Sequence, residues 1–188
     1  MNLHLIRHTS LNIPASICYG QSDVDVSENF EAECATLASK LTAIKFDAVY
    51  ASPLQRCTKL AQALNLGAVH IDERLKELHF GDWEMQAWES IPRNVFDTWA
   101  NDYANLTPPN GESFSQLHAR TKKFVEEVSG HSRGKEIAVV THGGVIRAIL
   151  AEVLNMPLKG LFRIVIDHAS VTQISFGEVV PRIHFVNR

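Results

Sequence analysis

The chain lacks most of what would point toward a metal, a membrane or a nucleic acid. Its 188 residues include three cysteines, Cys18, Cys34 and Cys57, an odd set without metal-ligand spacing. That excludes a disulfide framework and fits a reduced, cytoplasmic protein. No apolar run approaches the roughly 20 residues a bilayer-spanning helix needs, so no membrane partner is expected. The N-terminus runs straight into an apolar segment with no basic stretch before it, which argues against a secretory signal. A basic excess is missing too: the net charge is −3, where nucleic-acid binding normally shows as a positive face. There is no glycine-rich P-loop and no H-x-H or H-E-x-x-H spacing, so neither that type of nucleoside triphosphate hydrolysis nor a metal site is indicated. No repeat or low-complexity tract divides the chain, and residues 1–188 are expected to form one domain.

What is present alternates between strand and helix. Residues 3–7, 46–51 and 136–141 read as apolar strands, the last continuous enough to be buried on both faces of a parallel sheet. Phe30, Cys34, Leu37, Leu41 and Ile44 fall on one face of a helix, with Ser27 as its expected N-cap. Leu54, Cys57, Ala61 and Leu64 form a second stripe, and Phe114, Leu117, Thr121, Phe124 and Val128 a third, opened by Ser113-x-x-Gln116 in capping-box spacing. A helix is predicted from about 144 to 154, before Pro157, and strands over 162–167, 171–176 and 182–186. The segment 80–112 holds Trp83, Trp88 and Trp99 and is read as a helical insertion over the pocket. The alternation predicts an α/β fold: a three-layer α/β/α sandwich with a mostly parallel central sheet.

Four segments put phosphate-handling side chains just past expected strand ends, where ligands bind in such sheets. Arg7-His8 follows the first strand. A neutral imidazole is a good nucleophile near pH 7, provided its other nitrogen donates to a fixed acceptor such as a backbone carbonyl. Arg7 can hold phosphoryl oxygens through its planar fork. An ordinary exposed dipeptide at a strand end is the plainer reading of these two residues alone. In Ser52-Pro53-Leu54-Gln55-Arg56, Ser52 is the expected N-cap, Pro53 the first helical residue and Gln55 the closure of a capping box. Arg56 then sits near a helix N-terminus, where the dipole disfavours a cation unless an anion is bound there. His142-Gly143-Gly144 repeats the design, with glycines that let backbone amides approach an anion closely. Glu77, unremarkable as a loop glutamate, can supply the proton a leaving alcohol needs. The other histidines read as structural or surface groups, with His79 and His168 as the candidates to line the pocket.

Taken in order, Leu5-Ile6-Arg7-His8, Ser52-Pro53-Leu54-x-Arg56, Glu77 with Phe80-Gly81-x-Trp83-Glu84, Gly111-Glu112-Ser113 and Thr141-His142-Gly143 resemble the histidine phosphatase superfamily, in its phosphoglycerate-mutase-like branch. The resemblance implies a metal-independent phosphomonoester hydrolase without a cofactor, acting on a small phosphorylated metabolite. It makes His8 the phosphorylated nucleophile, Glu77 the proton donor, and Arg7, Arg56 and His142 the phosphate pocket, with Gly20, Gln21 and Gly143 as substrate contacts. The chain departs from the commoner pattern after the nucleophile. Thr9 stands where Gly is usual, Leu11 and Pro14 replace a Thr or Ser and an Asn, and Met85 replaces the Gly of Trp-Glu-Gly. Arg-His-Thr followed by Cys18-Tyr19-Gly20-Gln21-Ser22-Asp23 instead resembles bacterial α-ribazole-5′-phosphate phosphatases of cobalamin biosynthesis.

Phosphoglycerate mutase and a broad-specificity or sugar phosphatase share the same catalytic set. Mutases of this type carry longer insertions, and a chain of 188 residues looks pared down toward hydrolysis. A non-catalytic phospho-ligand binding module needs the arginines but has no use for a proton donor. Whether two copies pair as a homodimer is left open.

Overall fold

Parallel pairing of four apolar strands sets the architecture of the computed structural model, which describes residues 1–177 and 179–188. In chain order the elements are β1 (Asn2–Arg7), α1 (Phe30–Leu41), β2 (Ala48–Ala51), α2 (Gln55–Leu64), β3 (Val69–Ile71), α3 (Arg93–Asn101), α4 (Phe114–His131), β4 (Glu136–Thr141), α5 (Gly143–Leu154), β5 (Val171–Ser175) and β6 (Arg182–Phe185). They form one six-stranded sheet in the order β3-β2-β4-β1-β5-β6. The first four strands of that order run parallel, and β5 and β6 extend the β1 edge antiparallel.

The period of two along each strand feeds two cores. Leu3 and Leu5 of β1 and Ile137 and Val139 of β4 join one cluster with α4 and α5, while Ile6, Ala138 and Val140 face the other with α1 and α2. Helices on both faces of the sheet make three layers, as expected. Among the described residues no helix is long and apolar enough to cross a membrane.

Several local expectations need correction. Ser27 does not cap α1; Asn29 holds that position, and the Ser27 hydroxyl instead bonds Ser10 Oγ and accepts from the Asn29 amide. Helix α1 stops at Leu41, so Ile44 lies beyond it. The strand expected over 162–167 is absent. Residues Leu158–Arg163 form 3-10 turns, because β5 already occupies the sheet position beside β1. The carbonyls of Ile164 and Ile166 accept from Arg147 and Arg7 side chains rather than from a neighbouring strand. The short strand β3 went unread. The capping box at Ser113 and Gln116 is present in both halves.

Between β3 and α4, single turns at Gly81–Trp83 and Trp88–Ser90 precede α3. Phe80, Trp83, Trp88, Phe96, Trp99 and Tyr103 stack edge-to-face or tilted through this segment.

Candidate active site

Register places the site. Arg7 pairs with Thr141 across β1 and β4, and Ala51 pairs with Val140 across β2 and β4. The next residues, His8, His142 and Ser52, therefore leave three adjacent strands side by side at their carboxyl ends. Neighbouring strands lie about 4.8 Å apart, and the rings of His8 and His142 stand 5.2 Å apart by centroid. Antiparallel β5 delivers a third imidazole: His168 precedes it, 5.2 Å from the His8 ring.

Each imidazole has its tautomer set by a neighbour with only one hydrogen-bonding role. His8 Nδ1 donates to the Thr9 carbonyl at 2.7 Å, which leaves the Nε2 lone pair free. That nitrogen is buried and has no partner among the described residues. Arg56 Nε donates to His142 Nδ1 at 3.2 Å, so His142 Nε2 carries the proton and donates to Ser52 Oγ at 2.8 Å. Arg7 Nη2 donates to His168 Nε2 at 2.9 Å, while its Nη1 donates to the Ile166 carbonyl. Burial, then the Arg56 and Arg7 guanidiniums, hold His8 well below the ordinary histidine range. His142 is lowered likewise by burial and by Arg56 and His8, and His168 falls to about 4, mainly through burial and Arg7. All three rings are neutral at pH 7.

The cations are held just as firmly. Arg56 is fully buried; its Nη1 and Nη2 donate to the carbonyls of Ser22 and Gly20 at 2.9 and 2.7 Å. Gly20 adopts φ +41°, and an added Cβ would collide with Glu84 Oε1. Glu84 in turn accepts from the Gln21 amide and from Ser22 Oγ. The Gln21 side chain donates to the Glu77 carbonyl at 2.9 Å. Gly20 and Gln21, expected as substrate contacts, thus make these bonds inside the protein, to Arg56 and to the backbone of Glu77. Ser52, expected as the α2 cap, instead accepts from His142 Nε2 at its hydroxyl oxygen; Asp23 Oδ1 accepts from the Gln55 amide, and the Gln55 side chain turns to the Asp23 carbonyl.

Glu77 reaches the same place from the segment after β3. Its Oε2 accepts from the Gly144 amide at 3.1 Å and its Oε1 from Leu78 N at 2.8 Å. Arg120 braces the segment by donating to the carbonyls of Arg74, Lys76 and Glu77, and Glu112 holds Arg120 at 2.5 Å. The Gly111-Glu112-Ser113 motif therefore fixes the acid and starts α4. A Cβ on Gly143 would lie 2.9 Å from Arg147 Nη1 and 3.4 Å from Arg7 Nε. The glycine admits both guanidiniums beside the first turn of α5, where free backbone amides also favour an anion.

The five residues expected at the centre, His8, Glu77, Arg7, Arg56 and His142, share this cleft. Arg147, Ser52 and Arg120 were missed. Arg147 lies four residues after Gly143 on the same helix face, a spacing that could have flagged it. His79 stands apart, 3.9 Å from Glu84 and substantially exposed. Among the described residues no group of three or more His, Cys, Asp or Glu could hold a metal ion. Three guanidiniums facing the Glu77 carboxyl group, with neutral imidazoles between them, suit binding of a dianionic phosphoryl group.

Comparison with known proteins agrees in kind. The model of the histidine phosphatase superfamily (branch 1) matches residues 3–188. An adenosylcobalamin/α-ribazole phosphatase of Salmonella typhimurium is 28% identical, covering all of this chain and 96% of its own. Phosphoserine phosphatase 1 of Hydrogenobacter thermophilus is 28% identical over 95% of this chain and 88% of its own. The crystal structure of the α-ribazole phosphatase from Shigella flexneri superposes with a TM-score of 0.92 at 25% identity, covering 100% of this chain and 96% of that one.

Proposed function

The chain belongs to the histidine phosphatase superfamily (branch 1), and from that premise we propose that it hydrolyses α-ribazole 5′-phosphate through a phosphohistidine at His8. The observation that carries the chemistry is His8 itself. Its ring is neutral, pinned through Nδ1 to a backbone carbonyl, with a buried Nε2 that has no partner among the described residues and lies among cationic groups.

Arg7, Arg56 and Arg147 bind the phosphoryl oxygens and disperse the charge that develops on them. His8 Nε2 attacks phosphorus; the P–N bond forms as the P–O bond to the alcohol breaks. Glu77 gives its proton to the departing oxygen, and as a carboxylate it then takes one from the water that cleaves the P–N bond. The products are the alcohol and inorganic phosphate, with His8 restored. His142 positions Arg56 and, through its neutral ring, adds no positive charge of its own. Gly143 leaves room for the phosphate between Arg7 and Arg147.

The substrate rests on the Arg7-His8-Thr9 and Cys18–Asp23 resemblance and on the named activities of the Salmonella and Shigella relatives. A panel of α-ribazole 5′-phosphate, phosphoserine, 3-phosphoglycerate and fructose 2,6-bisphosphate tests it by kcat/KM. The first is expected to exceed each of the others by at least about 100-fold, or roughly 2.7 kcal/mol of transition-state discrimination. Preference for any other member would refute this substrate.

A further inference from the structure

We propose that His168 is a positioning residue of this site, acting through Arg7: it turns the guanidinium so that Nε–H, and not the fork between the terminal nitrogens, meets the phosphoryl group. The inference rests on the phosphatase reading above and adds to it a residue that acts on the phosphoryl group only through its neighbour.

A guanidinium can offer an anion either of two edges. In Arg7 the edge between Nη1 and Nη2 is already committed: Nη1 donates to the Ile166 carbonyl and Nη2 to His168 Nε2 at 2.9 Å. The Nε is buried and has no partner among the described residues. A Cβ on Gly143 would lie 3.4 Å from that nitrogen, so Nε stands beside the first turn of α5, where an anion is favoured. A buried N–H without an acceptor is costly, and a phosphoryl oxygen bonded to it removes that cost. The edge left open is therefore the one that faces the phosphate site.

His168 is itself pinned on both sides. Ala169 adopts φ +52°, a left-handed conformation that alanine avoids, and its amide donates to the His8 carbonyl at 3.1 Å. On the other flank, Asn187 accepts from the Asp167 amide and donates to the Asp167 carboxylate, while Ser170 Oγ donates to the Asp167 carbonyl at 2.7 Å. Backbone strain of this kind persists only where the surroundings impose it, and it gathers at functional sites. Because a guanidinium only donates, His168 Nε2 accepts and Nδ1 carries the proton. Burial and Arg7 keep the ring neutral at pH 7, which preserves the acceptor. Without it, Nη2 is free to turn toward the phosphate, one edge of Arg7 replaces the other, and the phosphoryl group leaves the line of attack from His8 Nε2.

The test pairs two side chains of similar length, one with an acceptor and one without. His168→Met is expected to lower kcat/KM about 30-fold, mainly in kcat, because a misaimed Arg7 displaces the phosphoryl group. His168→Gln, whose amide oxygen can accept from Arg7 Nη2, is expected to stay within about threefold of the wild type. In an Arg7→Ala background, His168→Met should cost less than about twofold more. Equal losses in the two backgrounds, or equal losses for the two substitutions, would overturn the positioning role. The wild-type protein supplies a check that needs no variant. Nitrogen-15 spectra at pH 7.5 should show His168 protonated at Nδ1 and bare at Nε2, and the Arg7 Nε–H signal should move downfield as inorganic phosphate is added. The opposite tautomer, or an Arg7 Nε–H signal that ignores phosphate, would also overturn it. That phosphate shift without hydrolysis of any ester would instead overturn the phosphatase reading alone.

Discussion

Alanine at Gly144 separates the position of the acid from the stability of the fold. Gly144 sits in the first turn of α5, and its backbone does not require glycine: its φ is not positive. By helix propensity alone, alanine there is favourable by up to about 1 kcal/mol. The added methyl, however, would overlap Glu77 Oε1 and lie 3.1 Å from its Cδ, with Leu117 Cδ2 only 3.4 Å away on another side. Helix α5 cannot yield, because Val145, Ile146 and Ala148 behind it are fully buried. The carboxylate must retreat by about 1 Å, breaking its 3.1 Å bond from the Gly144 amide. A displacement of that size costs about 100-fold when the displaced group acts in the transition state. We expect Gly144→Ala to melt within a few degrees of the wild type and to lose about 100-fold in kcat/KM on an alkyl phosphate. On 4-nitrophenyl phosphate, whose leaving group needs little protonation, the loss should stay below about tenfold. Equal losses on the two esters, or full activity on both, would refute the role given to Glu77.

Other outcomes follow from the same geometry. His168 has a folded-state pKa of about 4 against an ordinary 6.5. Its contribution to stability is therefore complete above pH 6.5 and lost as pH falls from there toward 4, because the unfolded chain takes up the proton first. With its partial exposure discounted, the loss is about 2–3 kcal/mol, and His8 and His142 shift in the same direction. Urea unfolding at pH 7.5 and 4.5 should show this drop, and His168→Gln, which keeps an acceptor for Arg7, should make it shallower; a flat profile would contradict neutral burial. Met85 adopts φ +63° and is 56% exposed, at the position where the Trp-Glu-Gly pattern of the resemblance has glycine. Met85→Gly should stabilise the fold by about 0.5–1 kcal/mol, the left-handed cost relieved less the entropy of glycine, and a lowered melting temperature would show that the methionine contributes packing instead.

The layered sheet was legible because its signals are local. Apolar runs at 3–7 and 136–141 read as buried strands, and polar residues immediately after a strand end fall where ligands bind. The side-by-side placement of His8 and His142 depends on the pairing of Arg7 with Thr141, which no local pattern encodes. Ser52 was misread for a related reason: a Ser-Pro helix start is a sound local rule, but His142 competes for the hydroxyl across 90 residues. The alternation of Phe162, Ile164 and Ile166 imitates a strand, while arginine side chains take the carbonyls that a strand would have paired. His168 and Arg147 enter the site through the β5 register and a helix face, and Arg120 through a half-buried brace with Glu112. Tertiary partners decide such positions.

The claim that His8 Nε2 accepts the phosphoryl group is tested most directly by rapid acid-free quench with 32P-labelled substrate, followed by peptide mapping. The expected result is one label on the peptide containing His8, stable in base, lost in acid, formed unchanged in excess chelator, and absent in His8→Ala. Label on another residue, or full turnover by folded His8→Ala, would contradict it.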